Sequence, residues 1–117
     1  MPHSPSPHDP RIRQTAYRAA GDVPQVLIPF HRAECLSIAE AAEIAKRTDR
    51  TLRDWCNLLD LGRRIGGQWA VSRVALAMYL DRDSEALAAY LRGDRESPSV
   101  AVYFERCDVP LLRRDAA

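Results

Sequence analysis

The stretch GRRIGGQWAVSRVAL, residues 62–76, sets two glycines between short strand-like runs and then passes through Ser72 into a helical pattern. Glycines flanked by β-forming residues read as a hairpin. A serine followed by a periodic apolar run reads as a helix start. A two-stranded hairpin alone is marginal in water, so this one is expected to lean on helices and to present its tip to something.

Loop parity decides which side chains of the hairpin face inward. A two-residue loop, Gly66-Gly67, sets Ile65 opposite Gln68 and Arg64 opposite Trp69, which leaves Ile65 and Trp69 on opposite faces. A three-residue loop, Gly66 to Gln68, pairs Ile65 with Trp69 and Arg63 with Val71. The second register buries Ile65, Trp69 and Val71 together and points Arg64 and Gln68 outward, so apolar burial favours it, with Gln68 in the left-handed position.

Upstream of the hairpin, Ser37 and Glu40 in "SIAE" form a capping box, and Ile38, Ala41, Ala42 and Ala45 follow as a thin apolar stripe. Thr48 is a second cap, followed by Leu52, Trp55, Cys56 and Leu59 at helical spacing. Gly62, or a loop from about Leu59, is the expected stop. The two tryptophans are expected in the core. Two such helices joined by about four residues make a helix-turn-helix.

Downstream, Ser72 caps a third helix over "RVALAMYLD". A fourth helix spans 84–92, with Leu87, Tyr90 and Leu91 inward, and stops at Gly93. A fifth begins with Ser97 at the cap and Pro98 at its first position. The chain therefore divides into a disordered tail over 1–22, an extended lead-in over 23–35, of which 23–30 can pack or add an edge strand, a core domain over 36–82, a helical extension over 83–107 and a flexible tail over 108–117.

The whole chain, 117 residues with a net charge of +1, suits one small domain. Charge is unevenly spread: from Lys46 to Arg73 seven basic residues stand against three acidic ones, a net +4, with −1 before and −2 after. Such segregation fits an anionic partner, nucleic acid first. Asp60 and the acids of 81–85 read as a solvated face and a complement to a helix start. No apolar run approaches a membrane span and no signal core begins the chain, so a cytoplasmic location is expected. Cys35, Cys56 and Cys107 lack metal-clip spacing, and His31 reads as a surface or turn histidine; no metal or cofactor is expected.

The segment 36–80 resembles the excisionase-like helix-turn-helix domains, relatives of the MerR-type winged helix. Their pattern of Leu-Thr-x-x-Glu-Ala-Ala, Ser-x-x-Thr-hydrophobic-x-x-Trp and Ile-Gly-x-x-Trp is met by Glu40-Ala41-Ala42, Thr48, Thr51-Leu52, Trp55, Ile65-Gly66-Gly67 and Trp69. The resemblance implies a mainly α fold: a winged helix-turn-helix with a small β-hairpin wing and additional C-terminal helices. It also implies a second helix in the major groove of double-stranded DNA and a wing on the backbone or minor groove. Members include excisionases, which direct recombination, and small regulators of mobile elements. Two departures stand out. Lys46-Arg47 occupies the turn where the family usually has a glycine and an apolar residue, and Asp49 and Asp54 sit beside Arg50 and Arg53 at i,i+4 spacing, where the charges can satisfy one another.

The expected DNA contacts are Thr48, Arg50, Thr51, Arg53, Asp54 and Asn57 on the second helix, Arg63, Arg64 and Gln68 on the wing, and Lys46 and Arg47 in the turn. No nucleophile, base and orienting group recur at a recognisable spacing, so an enzyme with a small-molecule substrate is not expected. The rival reading is a protein-interaction or assembly module, or a DNA-packaging recognition subunit, that keeps the shape as a scaffold. The apolar residues of the last two helices also raise self-association on DNA.

Overall fold

The structure, a computed structural model, describes residues 23–111. The expected tail over 1–22 and the end of the tail after 107 lie outside the described residues. A short 3-10 turn, Arg32–Glu34, leads into β1 (Cys35–Leu36), α1 (Ile38–Ala45), α2 (Asp49–Leu59), β2 (Gly62–Ile65), β3 (Gln68–Ser72), α3 (Arg73–Leu80), α4 (Ser84–Leu91) and α5 (Pro98–Arg106). Among the described residues there are thus five helices and a three-stranded antiparallel sheet of order β1-β3-β2.

Local cap chemistry starts the first three helices. Glu40 N donates to Ser37 Oγ at 3.1 Å while Ser37 N donates to Glu40 Oε1 at 2.8 Å, the reciprocal capping box. Thr51 N donates to Thr48 Oγ1 at 3.1 Å, and Ala75 N to Ser72 Oγ at 3.0 Å. Asp83 caps α4 through Ala86 N. For α5 Ser97 is the cap residue and Pro98 the first helical one, as expected, but Ser97 makes no side-chain cap bond: its hydroxyl donates to Asp94, which also accepts from the Glu96 and Ser97 amides. Those bonds, the Ser97 hydroxyl foremost, hold the Asp94 carboxyl below its ordinary range.

Two turns use left-handed backbone without glycine. Lys46 closes α1 at φ 58°, in the turn where the resembled family usually has a glycine. Asp60 closes α2 at φ 59°, so the helix ends at Leu59, the second of the two expected stops, rather than at Gly62; Asp60 is buried and not part of a solvated face. Gly62 has another duty inside β2. A Cβ there would lie 2.2 Å from the Ala70 carbonyl oxygen and 2.8 Å from Cys56 Sγ, so the wing's root can touch both β3 and α2 only without a side chain.

The hairpin corrects the odd-loop expectation. Its register is Gly62 with Val71, Arg63 with Ala70, Arg64 with Trp69 and Ile65 with Gln68. The loop is the two residues Gly66 and Gly67, at φ 59° and 82°. Positive φ at both central positions is what a tight hairpin turn requires, and that backbone preference outweighs pairing Ile65 with Trp69. Consequently Ile65 is 40% exposed and Trp69 only half-buried.

The lead-in packs rather than adding a strand over 23–30: Val26 and Leu27 are buried, and the edge strand is Cys35–Leu36. His31 caps the 3-10 turn by accepting from Ala33 N. The C-terminal helices wrap onto the same core through Leu87, Tyr90, Leu91, Val100, Tyr103 and Phe104, and burial continues to Val109.

Glu34, Ser72, Tyr90 and Arg95 tie these parts together, and the sequence carries no local signal that they meet. Glu34 is 1% exposed and Arg95 4%. Glu34 Oε2 accepts from Ser72 Oγ at 2.5 Å and from the Tyr90 hydroxyl, which also accepts from Leu27 N at 2.9 Å. Arg95 lies over the Tyr90 and Phe104 rings, donates twice to the Ile28 carbonyl, and stands 3.8 Å from Glu34 Oε1. Burial, with Glu34 beside it, raises the Tyr90 hydroxyl well above its ordinary pKa.

Candidate nucleic-acid interface

Helix α2 presents its inner stripe, Leu52, Cys56 and Leu59, to the core and leaves Arg50, Arg53, Asp54 and Asn57 exposed on the outer side. Arg50, Arg53 and Asn57 fall at i, i+3 and i+7, which is one helix face. The expected mutual pairing of the four charges does not form: among the described residues the ion pairs are Arg95–Glu34 and Arg106–Asp81. The guanidiniums of Arg50 and Arg53 are therefore uncommitted, next to two carboxylates that trim the positive potential.

Thr48 and Thr51 serve the cap first. The Thr48 hydroxyl donates to Thr51 Oγ1 at 3.0 Å while accepting the Thr51 amide, which leaves the Thr51 hydroxyl hydrogen free to point outward. In the turn Lys46 and Arg47 are both exposed, and Arg47 Nη1 donates to the Lys46 carbonyl at 3.3 Å.

The two flanks of α2 differ. On one, Cys56 meets the wing root at Gly62, and Arg53, one turn earlier, shares that flank. Burial raises the Cys56 thiol to about 12. On the other flank Trp55 meets Tyr79 of α3 edge-on at 4.8 Å. Both tryptophans are thus half-buried against the core rather than inside it. Beside this aromatic pair lies a groove of about 700 Å³ lined by Leu59, Leu80 and Leu87, with Arg47 and Arg82 on its walls.

On the wing Arg63, Arg64 and Gln68 are exposed as expected. Arg64 is not free, however: its guanidinium lies over the Trp69 ring, 5.2 Å from the centroid, and Nη1 reaches the Gly67 carbonyl at 3.5 Å. Among the described residues no cluster of His, Cys, Asp or Glu could hold a metal ion, and no helix is long and apolar enough to cross a membrane.

A capped helix pair with a sharp turn, followed by a glycine-tipped hairpin on the flank of the second helix, defines a winged helix-turn-helix. Residues 35–84 match the model of a family described as a helix-turn-helix domain, of the excisionase-like kind. The domain marks the chain as a DNA-binding helix-turn-helix protein, a class that is typically non-enzymatic. Comparison with curated proteins and with solved structures gives no match.

Proposed function

We propose that the chain is a sequence-specific binder of double-stranded DNA, in which α2 enters the major groove and the wing holds the adjacent strand. The observation that carries the reading is the exposed, unpaired Arg50 and Arg53 on the outer face of the second helix, beside a cationic hairpin, in a segment of net charge +4. Arg50, Arg53 and Asn57 contact base edges; Lys46, Arg47 and Arg63 of the wing contact phosphates; Thr51 and Asp54 adjust the fit. The biological role is that of an excisionase-like recombination directionality factor or a small regulator of a mobile element, working in the cytoplasm without a cofactor.

A selected duplex and a random one, titrated by fluorescence anisotropy across a salt series, test this. Binding should weaken steeply with salt, and Arg53→Ala should cost about 1 to 3 kcal/mol on the selected site only. Retention of both duplexes by the Arg50→Ala/Arg53→Ala double variant at wild-type affinity overturns the assignment.

The groove beside Trp55 and Tyr79 favours a second reading, a protein-interaction or packaging module that uses the winged shape as a scaffold. Salt-insensitive behaviour with every DNA would move it ahead. Self-association through the C-terminal helices would have to use what those helices leave outward, such as Val102 at 45% exposure.

A further inference from the structure

We propose that the wing meets DNA with one face only, Arg63, Ile65 and Gln68: Ile65 makes an apolar contact in an A·T-rich minor groove, Arg63 holds a phosphate, and Arg64 braces the hairpin. This rests on the DNA-binding reading above and assigns Ile65 a role that the odd-loop register would have hidden in the core.

Alternation along paired strands puts cross-strand partners on a common face. With the observed register, Gly62, Arg64, Trp69 and Val71 share the face that continues into the core, since Val71 is fully buried and Gly62 abuts Cys56. Arg63, Ile65, Gln68 and Ala70 share the other face. Arg64 belongs to the first set by its contacts also, stacked on Trp69 and directed at the Gly67 carbonyl. Moving its guanidinium to a phosphate would uncover a half-buried indole and forfeit the cation–π contact. Arg63 has no such tie: it is exposed opposite small Ala70 on an edge strand.

At the tip, a Cβ on Gly66 or Gly67 would find no atom within 4 Å. The turn itself carries no side chain and has open space around it, so Ile65 and Gln68, the exposed pair that flanks it, are the side chains nearest the tip. Arginines on an edge strand guard against unwanted strand pairing, but an isoleucine 40% exposed next to them does the opposite. An apolar tip does suit the minor groove, where deoxyribose walls and the floor of A·T pairs lack a protruding donor, whereas the guanine N2 amino group fills the same space in G·C pairs. Gln68, directly opposite Ile65, supplies an amide donor for adenine N3 or thymine O2.

The test uses the full chain and a duplex selected by it from a random pool, with the base pairs beneath the wing rebuilt as A·T, G·C or I·C. Inosine lacks the N2 amino group, so I·C should bind like A·T and G·C about 5- to 10-fold more weakly. Ile65→Ala should erase that difference while leaving the melting temperature and salt slope unchanged. Arg63→Ala should lower the salt slope by about one on all three duplexes, and Arg64→Ala should lower the melting temperature but leave the slope intact. Equal binding of G·C and I·C by the wild type, discrimination that survives Ile65→Ala, or a salt slope that follows Arg64 instead of Arg63 overturns the proposal. If those results come with Arg50 and Arg53 still required for binding, the DNA reading stands and the wing assignment alone fails. If the wild type retains no duplex, both fail.

Discussion

Replacing Glu34 by alanine probes what fastens the C-terminal helices to the winged core. The carboxylate accepts from Ser72 and Tyr90 and is the counter-charge of Arg95, a guanidinium only 4% exposed. At 3.8 Å and an effective dielectric of about 20, the attraction is about 4 kcal/mol, which agrees with the cost of about 3 to 5 kcal/mol for stranding one member of a buried pair. Arg95 cannot escape easily, because Ile28, Tyr90 and Phe104 hold it from three sides. Glu34→Ala should therefore lose about 4 kcal/mol in urea unfolding, moving the midpoint by about 2 M for a domain of this size. Removing both charges should restore most of it: a Glu34→Met/Arg95→Met chain, with apolar groups of similar volume, is expected within about 1 kcal/mol of wild type. A Glu34→Ala loss below about 1 kcal/mol, or single losses that simply add in the double variant, would refute the claim that the two charges are buried as a coupled pair.

Further expectations concern the turn, the wing root, the thiols and the acid limb. Lys46→Gly should relieve the left-handed strain and add about 1 kcal/mol of stability, while lowering the salt slope of DNA binding if the ammonium holds a phosphate; urea melts and anisotropy read the two effects separately. Gly62→Ala should cost about 3 kcal/mol in thermal or urea melts, because the new Cβ meets the Ala70 backbone rather than a movable side chain. Cys56, buried and with its thiol raised to about 12, should resist aromatic disulfide reagents near pH 8 until the chain unfolds, and prompt labelling of Cys56 in the folded chain would contradict its packing. Asp81 is held low chiefly by Arg106 and Asp94 chiefly by Ser97, so both folded values lie below the unfolded ones. Their contributions are present above the ordinary carboxylate range and are lost as pH falls below about 4; Asp81→Asn should flatten that limb of stability against pH.

How much of this was legible in the sequence follows the range of the interactions. Ser37, Thr48 and Ser72 announced their helices because a cap needs only a hydroxyl and an amide three residues on. The α2 stripe of Leu52, Cys56 and Leu59 was visible in the same way, through spacing alone. Glu34, Ser72, Tyr90 and Arg95 come together from widely separated places in the chain, and no local pattern distinguishes a buried Glu34 or Arg95 from a solvated one. The candidate site lies between these limits. The positions of Arg50 and Arg53 followed from the α2 period, but that their charges stay apart from Asp54 and Asp49 is a matter of side-chain geometry. The hairpin departs from expectation for a different reason. Side chains that ought to meet favour the three-residue loop, whereas the two consecutive glycines at its tip already state the backbone they permit, with φ positive at both. Weighting the turn above the apolar pair gives the observed parity, and parity alone then moves Ile65 from the core to the tip and Arg64 from the tip to the Trp69 ring. In a short hairpin the turn is therefore the stronger statement, and which arginine of the wing is left for a phosphate is decided two residues away, at Gly66.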